Sequence, residues 1–340
     1  MNALRTSPFS AITLLGAMCI GLSGCATDIL YERSGSIYKL RCDAEIPLSV
    51  ASTDNTFPRW SPDGRQFAYI GQQFGRKDIF VRSGRIGASA TNLTGSNVAE
   101  PLADFEWSPD GDWILYTAIN STGTTSIYRV RTDAGSRPEP VSPFSLTSRQ
   151  PSWSPDGRRF VYSSDSPSAE REFGLYTANA NGTNRTLLVD LPNVNESKPS
   201  WGASGSIAYV RRGGDLVIRF SDGSEHTHGY IEDSLLLKPA WSNDGEWIAY
   251  PRTQGINRVM GRPPHTWRVI VPDTASGLED FQARWYGSDA SLVYHRRIIT
   301  SRPDDTSREV RRIKADGNDD EFLAYGQWPD PRPRLLSFCL

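Results

Sequence analysis

Arg59-Trp60-Ser61-Pro62-Asp63-Gly64-Arg65 recurs almost letter for letter as Glu106-Trp107-Ser108-Pro109-Asp110-Gly111-Asp112 and as Ser152-Trp153-Ser154-Pro155-Asp156-Gly157-Arg158. Ala240-Trp241-Ser242-Asn243-Asp244-Gly245-Glu246 keeps the same frame, and weaker copies start at Trp201 and Trp285. Consecutive tryptophans are 47, 46, 48, 40 and 44 residues apart. A Tyr follows nine residues after the Trp in five of the six copies: Tyr69, Tyr116, Tyr162, Tyr250 and Tyr294. In the Trp201 copy Tyr209 comes one residue sooner. A decayed copy reads from Trp328, with Pro329-Asp330 behind it and Phe338 in the Tyr place.

Each unit has one grammar. The Trp closes a short strand. In Ser-Pro-Asp-Gly the Pro presets φ, Asp tolerates the bridge region and Gly takes positive φ, so the segment is a turn. A second, apolar-aromatic strand follows (Gln66–Ile70, Trp113–Tyr116), then a variable loop and a third strand (Asp78–Val81, Ser126–Val130). A Gly turn leads to a short fourth strand such as Thr91–Thr94. Four antiparallel strands every 40–48 residues is the arithmetic of an all-β, β-propeller chain.

Composition agrees. The 340 residues include 29 Gly and 23 Pro, a turn-rich mixture, and no apolar run approaches the roughly twenty residues of a membrane-spanning helix. The formal charge of −2 excludes a general nucleic-acid binder, which needs a basic excess. Four His and four Cys leave little from which to build a metal centre, and no cofactor is expected.

The repeat resembles that of the TolB family, the periplasmic propeller of the Tol system: Trp-Ser-Pro-Asp-Gly, an apolar strand, an "Ile-Tyr" strand, Asp-Gly and Leu-Thr. The resemblance covers about residues 36–340. It implies a periplasmic propeller that acts by binding proteins. TolB proteins carry a separate α/β domain ahead of the propeller, for which this chain has no room, and they are not lipidated.

Arg5 followed by the apolar run Phe9–Leu22 reads as an export signal. It ends in Leu22-Ser23-Gly24-Cys25, which resembles the lipobox of bacterial lipoproteins. The expected organisation is a signal peptide over 1–24, a lipidated tether over 25–35 with the acyl chains on Cys25, and a propeller over 36–340. Ala26, where Asp would retain the protein at the inner membrane, points to the outer membrane and a periplasm-facing protein. The membrane partner is then the lipid anchor itself.

Candidate chemistry is sparse. The repeated Asp residues are explained by the turns, the Trp and Tyr rows by packing between blades, and Asp316–Asp320 by a hairpin. His226 and His228 share a strand face but lack a third ligand, and no Gly-x-Ser-x-Gly elbow occurs. The expectation is a non-enzymatic module that binds envelope proteins, with a glycan such as peptidoglycan as the alternative and a lyase or hydrolase behind both. Long segments read as second-to-third-strand loops in the last two repeats place Arg252, Arg258, Arg262, Arg296, Arg297 and Arg302 on one rim, suited to an acidic partner.

The ends supply two half-repeats. Ser36–Cys42 and Ile46–Val50 read as third and fourth strands, and the Trp328 copy as a first strand with Arg334–Cys339 as a second. Joined, they make a composite seventh blade. Cys42 would then lie beside Cys339 at disulfide distance. Six blades, with the ends packed outside, is the alternative.

Overall fold

The computed structural model describes residues 28–49, 54–95, 99–120, 123–165, 172–211, 214–230, 238–252, 255–260, 267–271, 278–286, 291–298 and 307–332. The repeated turn is built as its residues dictate. Ser61 Oγ donates to Asp63 Oδ1 at 2.6 Å and accepts from Gln66 N at 3.0 Å, and Asp63 Oδ1 also accepts from Arg65 N at 3.0 Å. Gly64, at φ 63°, returns its N–H to Ser61 O. The same bonds recur at Ser108, Ser154 and Ser242. The hydroxyl of Ser154 and the N–H of Arg158 hold the Asp156 carboxyl below its usual value, so the repeated acids are turn-makers.

Seven four-stranded antiparallel sheets form among the described residues. Six follow sequence order, and we call them blades 1–6: residues 56–92, 100–140, 148–189, 196–230, 240–271 and 278–325. Each starts on its innermost strand and steps outward. The first-to-second and third-to-fourth connections therefore share one face with the Ser-Pro-Asp-Gly turns, here the turn face. The seventh sheet is composite, ordered Gln327–Pro331, Ile29–Arg33, Ser36–Arg41, Ala44–Pro47.

The composite sheet differs from the sequence expectation in its second strand. Ile29–Arg33, expected as tether, occupies that place, with Ile29 opposite Pro331 and Leu30 opposite Asp330. Arg334–Cys339 is therefore not the second strand, and Cys339 lies outside the described residues. In blade 1 Trp60 pairs with Phe67, two residues before Tyr69. By the same register Pro331, not Trp328, takes the Trp place, and Tyr31, not Phe338, takes the Tyr place.

The core lies between blades. Ile70 and Val81 of blade 1 pack with Trp107, Ile114 and Tyr116 of blade 2, and this joint recurs around the ring. Tyr31, Tyr116, Tyr162, Tyr209 and Tyr294 are wholly buried, with Tyr69 and Tyr250 at 6%. At about 1.5–3 kcal/mol for each large side chain removed from water, packing outweighs any one stitch between blades. Those stitches are nevertheless regular. The indole N–H of Trp107 donates to Arg59 O, Trp153 to Glu106 O, Trp241 to Ser200 O and Trp285 to Ala240 O, at 2.8–3.4 Å.

Candidate binding site at the channel mouth

The innermost strands line a central channel. In five of the sheets a bulge interrupts this strand just before the Trp place, and blade 2 has a similar interruption. Phe57, Gln150 and Lys198, each three residues ahead of its Trp, take positive φ of 53–58°. A side chain with a Cβ rarely holds that conformation, and such bulges re-aim residues toward a site. A Pro follows in each case, and its missing N–H costs nothing on a strand whose inner edge faces the channel.

At the turn face the channel opens into a cavity of about 690 Å³, walled by Trp60, Trp107, Trp153, Trp201, Trp241 and Trp285 with turn prolines between them. Arg59, Arg149, Lys198, Lys238 and Arg284 enter it, against Asp104, Glu106 and Asp330. The acids are largely engaged. Asp104 Oδ1 pairs with Lys238 Nζ at 2.9 Å, and Glu106 Oε2 accepts from Trp153 N at 2.9 Å. Asp330 Oδ2 accepts from Trp60 N at 2.7 Å, while its other oxygen stands 3.8 Å from Arg59 Nη1. Burial raises the Asp330 carboxyl. Burial, reinforced by the like charge of Arg284, pulls the Arg59 guanidinium down to about 9. Two guanidiniums thus share one carboxylate inside a walled site, an arrangement that favours an incoming anion.

The rim expected from sequence is rearranged. The third strand of blade 5 is Gly255–Met260, so the second-to-third connection is only two residues long. Arg252 ends the second strand opposite Gly255, and Arg258 lies within the third opposite Ala249. In sequence Arg262 falls between the third strand and the fourth, Trp267–Val271. Arg262, Arg302, Cys25 and Cys339 lie outside the described residues. In blade 6 the connection between Ile298 and Ser307 is second-to-third as expected. Arg296 is not a rim residue. It is buried, over the Tyr294 ring and 3.5 Å from Asp320 Oδ2. Arg297 is half-buried on the same strand.

Asp316–Asp320 is a turn, closed by Gly317 N to Lys314 O and by Lys314 N to Asn318 O. His226 and His228 lie on the outer strand of blade 4 with ring centroids 4.6 Å apart. No group of three or more His, Cys, Asp or Glu able to hold a metal occurs among the described residues. Cys42 opens the tight turn into the fourth strand of the closing sheet, at φ 47°, on the turn face. Sequence reasoning passed over the channel cations because they sit in the least repeated positions of the repeat.

These features define a β-propeller whose channel mouth is a charged, indole-walled receptacle. The chain belongs to the TolB β-propeller domain family, whose model matches residues 36–215. It is 32% identical over 186 residues to the uncharacterized protein Atu1656 of Agrobacterium fabrum, covering 52% of this chain and 61% of that one. The matched stretch is 16% of the uncharacterized peptidase YuxL of Bacillus subtilis. Thus the chain spans less than two thirds of the length of these relatives. Among solved structures, TolB from Acinetobacter baumannii aligns at TM-score 0.54 and 16% identity, over 91% of this chain and 67% of that one. Oligogalacturonate lyase from Vibrio parahaemolyticus aligns at 0.62 and 10%, over 84% and 90%. At these identities the likeness is one of fold.

Proposed function

We propose that this chain is a lipid-anchored propeller of the bacterial envelope, non-catalytic, that receives an acidic segment of a partner protein in its channel mouth. The carrying observation is the cavity itself: five cations against three acids that already have partners, set on a frame whose turns repeat while its channel residues vary. A constant frame with a variable lining is what recognition requires of a propeller, and fold alone does not assign function. The lipobox supports anchoring at Cys25, and Ala26 supports the outer membrane. A second reading, an acidic glycan, is favoured by the pairing of indole walls with guanidiniums.

Crosslinking and pull-down from intact cells tests the reading. Arg284→Ser with Lys198→Ser should cut capture of the wild-type partner at least tenfold; because Lys198 is buried, retained folding is checked by an unchanged far-ultraviolet circular dichroism spectrum and a single cooperative melt. Undiminished capture would move the site elsewhere. Retention of the wild type on a polyuronate column, lost in the double variant, would favour the glycan. Radiolabelled palmitate should enter the wild type and not Cys25→Ser.

A further inference from the structure

Both ends of the described chain emerge on the turn face, side by side. Asp28 is buried, with Arg41 Nε at 3.3 Å, Arg332 Nη1 at 3.6 Å and Lys39 Nζ at 3.8 Å from its carboxylate. Arg332 N donates to Asp28 O at 2.7 Å. The exit point is therefore fixed three residues after Cys25, and three extended residues reach about 10 Å. An acyl chain on Cys25 leaves this sector little freedom to stand away from a bilayer.

The surface around that exit is continuous. Arg332 Nε donates to Gly64 O, Gly84 N donates to Arg65 O, and Lys39 Nζ donates to Gly84 O. This chain of contacts brings the 84–89 turn of blade 1 against the closing sheet. At its tip stands Ile86, 72% exposed, beside the exposed Arg85. The side chains of Arg65 and Arg41 are 77% and 59% exposed. Of the acids nearby, Asp28 faces its three cations and Asp63 its own turn and Arg65, while Asp43 is exposed two residues after Arg41, so the sector carries a basic excess rather than a purely basic face.

We propose that this sector is a lipid-docking surface: Ile86 enters the headgroup layer of an anionic phospholipid surface while Arg41, Arg65 and Arg85 contact its phosphates. It is a basic ring about an apolar tip, placed where an anchored chain must meet the membrane. One lipid signal plus a basic patch is a pairing that makes membrane attachment durable. The orientation, though not the docking chemistry, rests on the anchoring proposed above. It turns the channel mouth toward the membrane and the Phe74 hairpin, on the opposite face, away from it.

Two measurements test this. The first uses the full mature chain with Cys25→Ser, so that lipidation plays no part, and sedimentation with phosphatidylglycerol-containing vesicles. Each Arg near an anionic surface contributes roughly fivefold in partitioning, so Arg41→Gln/Arg65→Gln/Arg85→Gln should lower it about a hundredfold. Lys77→Gln with Phe74→Ser, on the opposite face, should leave it unchanged. Equal partitioning of the triple variant and the wild type overturns the proposal, as does equal loss in the control. The second follows hydrogen exchange in the lipidated protein on the same vesicles. Residues 84–89 should gain protection and residues 73–76 should not; protection confined to 73–76 overturns the orientation. Failure of palmitate labelling would remove the anchor without touching the first measurement.

Discussion

Glu196 is wholly buried at the start of the innermost strand of blade 4, with Arg211 Nε 4.0 Å away. That guanidinium is already engaged, donating to Tyr209 Oη at 2.7 Å and to Glu225 Oε2 at 2.9 Å. Burial therefore dominates, Arg211 pulls back only in part, and the Glu196 carboxyl is pushed up from 4.5 to about 7. An acid raised in the folded state stabilises fully below its unfolded value and loses that advantage as pH climbs through the folded one. By pH 8.5 the difference amounts to about 3 kcal/mol, and by pH 5 to under about 1 kcal/mol. Glu196→Gln keeps the shape and removes the charge. For a chain of 340 residues, unfolding entropy of about 2.1 cal/mol/K per residue converts 3 kcal/mol into about 4 °C. Scanning calorimetry from pH 5 to 8.5 should show the variant gaining about 3 °C on the wild type across that range. Any constant offset from burying an amide cancels in the comparison. A pH-independent gap, or one that favours the wild type more at high pH, would refute the assignment.

Gly326 sits at φ 154° directly before the last strand, and a Cβ there would stand 2.5 Å from the Tyr31 ring and 2.6 Å from Glu32 O. Gly326→Ala should cost about 1–3 kcal/mol by overpacking and raise protease cleavage at the closing sheet, read by limited proteolysis. Cys42 lies on the face from which the chain leaves at Arg332, and Cys339 follows seven residues later, a span of up to roughly 23 Å. A Cys42–Cys339 disulfide should appear as one linked peptide in a non-reducing digest; two separate alkylated peptides would exclude it.

Much of this architecture was legible, because the turn carries its own chemistry in Ser, Pro, Asp and Gly. The closing sheet was harder, though its clues were printed. Ile29-Leu30-Tyr31 repeats Ile114-Leu115-Tyr116, but no Trp precedes it, so it passes for tether. Pro329 aligns with Pro58, Pro151, Pro199 and Pro239, each two residues ahead of the Trp place, and that alignment puts Pro331 rather than Trp328 in register. The Arg252–His265 stretch misled because Gly and Asn are poor strand formers, and it is pairing with Trp247–Arg252 and Trp267–Val271 that makes Gly255–Met260 a strand. The positive φ at Phe57, Gln150 and Lys198 has only the following Pro as a local mark, and that mark does not specify the left-handed region.

The sheet that joins the two ends also sets a schedule. Trp60 N meets Asp330 across 270 positions of sequence, and Glu32 meets Gln327 across 295. Loop-closure entropy makes such contacts slow and late. Blades 1–6 can form each from its own consecutive strands, while Ile29–Pro47 has an unpaired inner edge until residue 331 arrives. On the export proposed above, a chain threaded from its N-terminus would be unable to lock its ring in transit. Closure would then fall on the far side, so the topology itself would keep the polypeptide transportable until the Gln327–Pro331 strand had crossed.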